Sequence, residues 1–487
     1  LLTHTGGLDV KLAGTVAPRP DQVLPLGRYL AAELPPRVLP PGRFLSYSNH
    51  GYTLLGHLVE QASGESFARY MEERVFRPLG MLHSGFTLPR ELPPSLAVGY
   101  EPRSDLTYRK AAPVFPHITP AAGLVTTGAD MARFLLAHLE GGGGILSPAT
   151  LAEMHREHFT PDPRLPGITY GFFESFENRQ RTLFHGGGLH GFMAGVYLVP
   201  EHRLGFFVAD NGYDSGLVWT VADEILDHYF PNPRVPPRSP AGFRARAALF
   251  TGTYRLMSHS RQNLEKAGAL RGGEVEVIDR RDGTLDVFGD RFVEVAPDLF
   301  ENTKTEERLA FGRDGGGQIR YLFTEDLFSG NDTWERIPWY ATGSFGATVL
   351  WLLGTLFVSA LFLRPGIGRI TLLDIPAELS PPARRAFRLG TLVSALNLLF
   401  LLGMLLGFRQ AAGSAGLQYG VPALLKGTLA LGLATSVLSL ALPLQAVRAW
   451  RQGWWSRSWR AYYSLITLGA LGFVAFLAQW NLLGFRY

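Results

Sequence analysis

The sequence predicts an α/β domain, then a small antiparallel β domain, then an all-α membrane domain. Three observations carry this order. Helical and strand patterns mix over residues 1 to about 230, short alternating runs fill 241–338, and four apolar stretches of about 20 residues follow. A length of 487 residues calls for two or three folding units. The 56 glycines and 33 prolines are dispersed among periodic segments, which excludes a collagen-like or disordered chain.

In the first domain, taken as 1–230, Tyr52, Leu55, Leu58, Val59 and Ala62 recur at helical spacing. Phe67, Tyr70, Met71 and Val75 do the same before Pro78 stops the helix, and Phe192 to Val199 and Leu204 to Val208 read as strands. Five prolines between Pro231 and Pro240 predict a stiff linker over 231–240. The alternation in Glu274-Val275-Glu276-Val277-Ile278 and Phe292-Val293-Glu294-Val295, with turn signals at Asp282-Gly283 and Asp314-Gly315, predicts the antiparallel β domain over 241–338.

The spans 341–363, 389–408, 427–447 and 461–485 predict four transmembrane helices within 339–487. Arg364, Arg369, Arg384, Arg385 and Arg388 lie between spans one and two, and Arg448, Arg451, Arg457 and Arg460 between spans three and four. Only Arg409 and Arg486 flank the other side. The positive-inside rule then puts both rich loops in the cytoplasm and residues 1 to about 340 outside, periplasmic or extracellular. Trp450, Trp454, Trp455 and Trp459 are expected as an interfacial belt, and membrane lipid is an expected partner. Asn397, Gln479 and Asn481 inside the spans are read as helix-to-helix hydrogen bonders, and Lys426 as a snorkelling side chain. With no ionisable residue mid-span, a small transporter is the weakest reading.

The absence of cysteine excludes disulfides, a thiolate nucleophile and Cys-ligated metal. A formal charge of +4 on this length does not point to nucleic acid. His155-Arg156-Glu157-His158 lacks the spacing that puts two imidazoles on one helix face, so no metal site and no cofactor are expected.

Two segments carry chemistry. Gly42 to Asn49 precedes an amphipathic helix, which sets Tyr47, Ser48 and Asn49 at a loop-to-helix junction; Asn49 is there either an N-cap or a binding group. Phe184-His185-Gly186-Gly187-Gly188-Leu189 precedes a strand, so the glycines belong at a sheet edge where a main-chain N–H can meet a developing oxyanion.

Taken in order, Leu1 to Leu8, Pro41-Gly42 to Tyr47-Ser48-Asn49, Arg77-Pro78-Leu79-Gly80-Met81, Ala122 to Thr127 with Asp130, and His185-Gly186-Gly187 resemble the serine β-lactamase-related family. That family comprises class C β-lactamases, low-molecular-mass penicillin-binding proteins and related esterases. The resemblance covers residues 1 to about 210 and implies a β-lactamase-like fold, an antiparallel sheet with helices and an all-α subdomain. It also implies an acyl-serine hydrolase of an amide or ester, with a small molecule or a cell-wall D-amino-acid peptide as substrate. Similar hydrolases often carry a lipocalin-like domain after the catalytic one, which is the expectation for 241–338. By the same resemblance Tyr47 is a proton shuttle, Asn49 binds the substrate amide, and His185 with Gly187 stands in the substrate strand where relatives have K-T-G. Gly188 then completes the oxyanion hole. The exchange of histidine for lysine points away from ordinary penicillin resistance.

The family's nucleophile is the serine of S-x-x-K. Three residues before Lys11, Lys110, Lys266, Lys304 and Lys426 stand Leu8, Thr107, Asn263, Glu301 and Ala423, so these 487 residues contain no such motif. The expectation is an N-terminal truncation, with the chain as given inactive and poorly stable. Ser48 and Ser66 are not expected to replace the nucleophile, since no G-x-S-x-G elbow exists. The alternative is a non-catalytic membrane protein whose cleft binds a cell-wall fragment or a partner.

Overall fold

The computed structural model describes residues 1–88, 92–103, 105, 107–212, 216–240, 242–326, 330–363, 380–411 and 416–487. The chain divides into two compact units: Leu1–His259 with Gly273–Pro338, and Ser260–Gly272 with Trp339–Tyr487. The predicted hydrolase-like and β segments thus share the first unit, while a short excursion from the β segment belongs to the second.

The first unit opens with helical layers. Helices α1 (Leu26–Glu33) and α2 (Asn49–Ser63) bury Tyr29 and Leu30 with Ile118, and the Tyr29 hydroxyl meets His50 Nε2 at 2.9 Å. The second predicted helix runs as an α-helix only over Phe67–Met71 and widens to a π-helix over Glu72–Phe76 before Pro78. Helix α3 (Gly128–Leu139) is capped by Thr127, whose hydroxyl accepts from Asp130 N–H.

A four-stranded antiparallel sheet follows in meander order: β1 (Phe173–Glu177), β2 (Gln180–Leu189), β3 (Phe192–Val199) and β4 (Leu204–Asp210). Period-two alternation gives it two apolar faces. Leu183, Val196, Leu198 and Phe207 pack with Leu135 and Leu139 of α3. Phe184, Tyr197 and Phe206 pack with Trp219 and Ala222 of α4 (Leu217–Tyr229). The sheet is therefore the middle of three layers.

Residues 231–240 contain no helix or strand, but Asn232 and Arg234 hydrogen-bond Glu306 and Asn302 O. The β segment closes into an eight-stranded antiparallel barrel. Its strands are β5 (Gly252–Leu256), β6 (Glu274–Asp279), β7 (Leu285–Val287), β8 (Asp290–Ala296), β9 (Leu299–Asn302), β10 (Arg308–Arg313), β11 (Ile319–Asp326) and β12 (Gly330–Ile337). Neighbours pair in sequence order, and β12 returns to β5 through Trp334↔Leu256 and Ile337↔Thr253. Asp282-Gly283 and Asp314-Gly315 sit in the β6–β7 and β10–β11 turns. Phe243, Phe250, Tyr254, Phe300 and Phe311 fill the barrel core, so its middle is aromatic packing.

The second unit has four helical segments long and apolar enough to cross a membrane. These are α5 (Gly343–Phe362), α6 (Pro381–Ala411), the broken pair α7 (Ala423–Ser439) and α8 (Leu442–Arg451), and α9 (Arg457–Gln479). Apolar composition located the helices but not their ends: α6 begins eight residues before the predicted 389 because its Arg-rich first turns are still helical. The third span breaks after Ser439, where α8 takes Pro443 into its first turn. Asn397 accepts from Thr435 Oγ1 across α6 and α7 at 2.7 Å, the expected interhelical bond. Asn481 lies beyond α9 and donates to Arg261 O and Asn263 O, while Gln479 offers its main-chain oxygen to Lys266. Trp459 is buried and packs on Phe387 and Tyr462, so the expected aromatic belt loses that member to the core. Arg364 and Arg369 lie outside the described residues.

Candidate active site

Tyr47 sits two residues before α2, and Ser48, not Asn49, caps that helix by accepting from Gly51 N–H at 3.0 Å. The Tyr47 main-chain N–H is spent on Ser258 Oγ at 3.2 Å, which anchors the loop. Its ring is stacked on His4 at 4.2 Å between centroids, and Tyr52 lies 4.8 Å from the same imidazole. His4 is 4 % exposed and holds a left-handed φ of 52°. Its Nδ1 accepts from Ser48 N–H at 3.0 Å, which fixes the Nε2–H tautomer.

His185 lies on β2, its ring 5.3 Å from Phe173 and 6.5 Å from Tyr47. The three predicted residues thus divide. Tyr47 and His185 come together around Phe173 and His4, whereas Asn49 opens α2 and no hydrogen bond joins its amide to either ring among the described residues.

Strand pairing explains why the glycines are reachable. β1 covers β2 only as far as Phe173↔Phe184, while β3 continues alongside to Leu189↔Phe192. From His185 onward β2 presents an edge, and Gly187 and Gly188 are exposed on it. That is the geometry for strand addition by an extended substrate, with main-chain N–H groups aimed outward. A side chain at Gly187 would meet open space; the sterically required glycine is Gly186, whose Cβ would stand 2.4 Å from the Trp219 ring.

None of the Tyr47, His4 and His185 rings is charged at neutral pH. Burial raises the Tyr47 phenol above its ordinary value. Burial, with the neighbouring His185 and the amino terminus, lowers His4 to about 3. Burial also lowers His185, against a smaller opposing effect from a Gly186 main-chain hydrogen bond. A protonated phenol beside two neutral imidazoles can pass a proton between them but does not attract an anion.

Sequence reasoning assigned no role to His4 or Glu101, and it quoted Asp130 only as part of a block. His4 lay inside the first quoted block, yet nothing local marks a residue that works by stacking on a tyrosine 43 positions later. Glu101, on the strand Tyr100–Pro102, holds His190 of the β2–β3 turn together with Arg109, clasping the end of the glycine edge. Asp130 is fully buried and accepts from His83 N–H at 2.7 Å, Ser84 Oγ at 2.8 Å and Arg133 at 3.0 Å. Burial alone would raise its pKa, but these donors outweigh it and hold the carboxyl below its ordinary value. The Ala122–Asp130 block is therefore a brace that pins the loop after Met81, remote from the chemistry.

The domain is thus a three-layer fold in which the Tyr47 phenol stands near His185 at the open edge of β2. The family model described as Beta-lactamase matches residues 1–225. Over 141 residues the chain is 30% identical to "Putative penicillin-binding protein PbpX" of Bacillus subtilis (strain 168), covering 29% of this chain and 34% of that protein. It is 24% identical over 185 residues to "Protein flp" of Staphylococcus aureus (strain N315), covering 37% of each. This chain thus spans about a third of the length of these curated relatives. Among solved structures, that of SurE superposes with a TM-score of 0.44 at 21% identity over 69% of this chain and 77% of the other. Residues 1–225 are thus similar to the serine β-lactamase and penicillin-binding-protein-like family.

Proposed function

We propose that the protein is a membrane-anchored, extracytoplasmic serine hydrolase that cleaves an amide or ester through an acyl-serine intermediate. The observation that carries this reading is the apposition of Tyr47, stacked on His4, with His185 at the open edge of β2. The nucleophile would be the family's S-x-x-K serine, which is not among these 487 residues. Its Oγ adds to the substrate carbonyl, the oxyanion is held by main-chain N–H of the Gly187–Gly188 edge, and the serine proton reaches the leaving nitrogen or oxygen by way of the Tyr47 phenol. Water then adds to the acyl-serine and the proton returns by the same route.

A neutral His185 favours an uncharged carbonyl neighbour over a substrate anchored by its carboxylate. Within the family's chemistry this supports an ester, or an amide embedded in a longer D-amino-acid peptide, such as the cell wall supplies. The barrel has the strand number and up-and-down closure of a lipocalin-like domain, with its interior occupied by Phe243, Phe250 and Phe300. The four apolar helices support membrane anchoring, and the arginine asymmetry of their flanks supports an outward-facing hydrolase domain.

The alternative, a cleft that binds without cleaving, is supported by the neutral imidazoles of His4 and His185 beside Tyr47. Labelling with a fluorophosphonate and a fluorescent penicillin, on protein expressed from the entire open reading frame, separates the two. The hydrolase reading expects covalent labelling of one serine and a fall of about 100-fold or more in acylation rate for Tyr47→Phe. An intact protein that binds a peptide but labels with neither probe overturns it.

A further inference from the structure

The helix unit gathers arginines at one end. α6 and α9 start at that end, and α8 ends six residues before α9. Phe387 of α6 packs on Trp459 of α9 with ring centroids 6.0 Å apart, which brings the Arg-rich first turns of the two helices together. Arg385, Arg388, Arg448, Arg451 and Arg457 are exposed there. Arg460 is partly buried, its guanidinium 4.9 Å from the centre of the Trp450 ring, and its Nε is buried without a hydrogen-bond partner. Trp450 is itself fixed by donating from Nε1 to Ser464 Oγ at 3.0 Å.

No Asp or Glu follows Glu378 in the sequence, and Asp374 and Glu378 lie outside the described residues. Among the described residues none of these six arginines enters an ion pair with a carboxylate. A guanidinium presents five donors in a planar fork that matches two oxygens of a phosphate, and a buried Nε without an acceptor carries a desolvation penalty that such an oxygen removes. Tryptophans 450, 454 and 455 around the same corner belong at headgroup depth.

We propose that this end is a binding seat for the phosphodiester of an anionic phospholipid headgroup, with Arg388, Arg457 and Arg460 as its principal donors. The inference rests on the membrane reading of the four helices. It goes beyond anchoring in naming the lipid class: a zwitterionic headgroup brings its own ammonium against the arginines, whereas phosphatidylglycerol brings none.

The test reconstitutes the full chain into phosphatidylcholine vesicles and measures the association of spin-labelled phosphatidylglycerol relative to spin-labelled phosphatidylcholine. The expected result is a preference on the order of fivefold at low salt, weakened by salt. It should fall to near unity in the triple variant Arg388→Gln/Arg457→Gln/Arg460→Gln. Arg409→Gln, at the other end of α6, should keep the preference. Equal association of both lipids in wild-type protein that floats with the vesicles overturns the lipid seat while leaving the membrane reading intact. Loss of the preference on adding millimolar inorganic phosphate at constant ionic strength identifies a soluble phosphate as the ligand and also overturns it. Failure of the chain to float with vesicles defeats both readings together.

Discussion

The two units answer the same problem, how to place arginine, in opposite ways. In the first unit arginines are met by carboxylates of the chain: Arg181 by Glu174, Arg246 by Glu294, Arg255 by Glu274, Arg280 by Asp286. In the second, the helices after Glu378 contain no carboxylate side chain, and their arginines gather at one end with tryptophans. The contrast teaches that the first unit carries its own counter-ions, as a domain bathed in water and salt must if its surface is to be specific. The arginines of α6 to α9 have no carboxylate side chain on their own helices.

Substitutions that strip a counter-ion should therefore hurt the first unit more than the second. The largest effect is expected from Asp130→Ala, which leaves the His83 N–H, the Ser84 hydroxyl and Arg133 without their shared acceptor. A loss of about 3 kcal/mol is expected, measured as earlier unfolding of the first unit by hydrogen exchange on the full chain. A loss below about 1 kcal/mol would show that the brace is dispensable.

A pH effect of intermediate size separates the units more sharply. Glu177 is raised to about 7 by burial and by Asp223, Glu306, Asp227 and Glu307. Glu325 is raised to about 8 by burial, Glu177 and Glu307, against the Arg308 N–H and the Arg308 charge. Both therefore bind a proton more tightly folded than unfolded, where the ordinary value is about 4.3. Their contribution is complete below that value and is lost as pH rises through 7 and 8. His4, His50 and His138, lowered to about 3, about 4 and about 4, stay neutral in the fold while their unfolded counterparts still bind protons near pH 6.5, so they raise stability up to about pH 7.5 and oppose the carboxylates there. Above about pH 7.5 the carboxylates dominate, so the first unit should lose about a degree or two of Tm between pH 7.5 and pH 9, with a flatter profile in Glu325→Gln. Helices α6 to α9, without carboxylate side chains, should not follow. A Tm that rises over this interval would contradict the assignment.

Asn397→Ala should cost the helix unit only about 1 kcal/mol, since the Thr435 hydroxyl loses its acceptor but can turn to its own helix. The smallest effect belongs to the exposed pair Arg313 and Asp298, for which Arg313→Gln is expected within about 1 kcal/mol of wild type in chemical denaturation.

The parts of the molecule that were legible in the sequence are those written in local periodicity. Glu274 to Ile278 alternates because one face of β6 is buried, and the apolar runs of the four helices need no partner to be recognised. What escaped depends on partners far away in the chain. Tyr47 and His185 were marked by their motifs, but that His4 stacks on the first and that Phe173 sits between them follows from the loop ahead of α2 meeting the start of β1. The acidic group of Glu177, Asp223, Glu307 and Glu325 has the same origin, with members drawn from β1, α4, the β9–β10 turn and β11. The end of α7 after Ser439 was hidden for another reason: leucine and alanine on both sides of the break give no compositional change.

The closing of β12 onto β5 sets an order of events during synthesis. Tyr254 must wait for Arg336, about 80 residues downstream, before the ring of strands can shut, and by then the ribosome is about to make α5. The loop between β5 and β6 waits longer still, since Arg261, Asn263 and Leu264 are bonded by Asn481 and Arg486, more than 200 residues downstream. The growing chain thus holds two unpaired strand edges while about 80 residues are made, a window in which chaperone binding or mispairing with a neighbouring chain competes with folding.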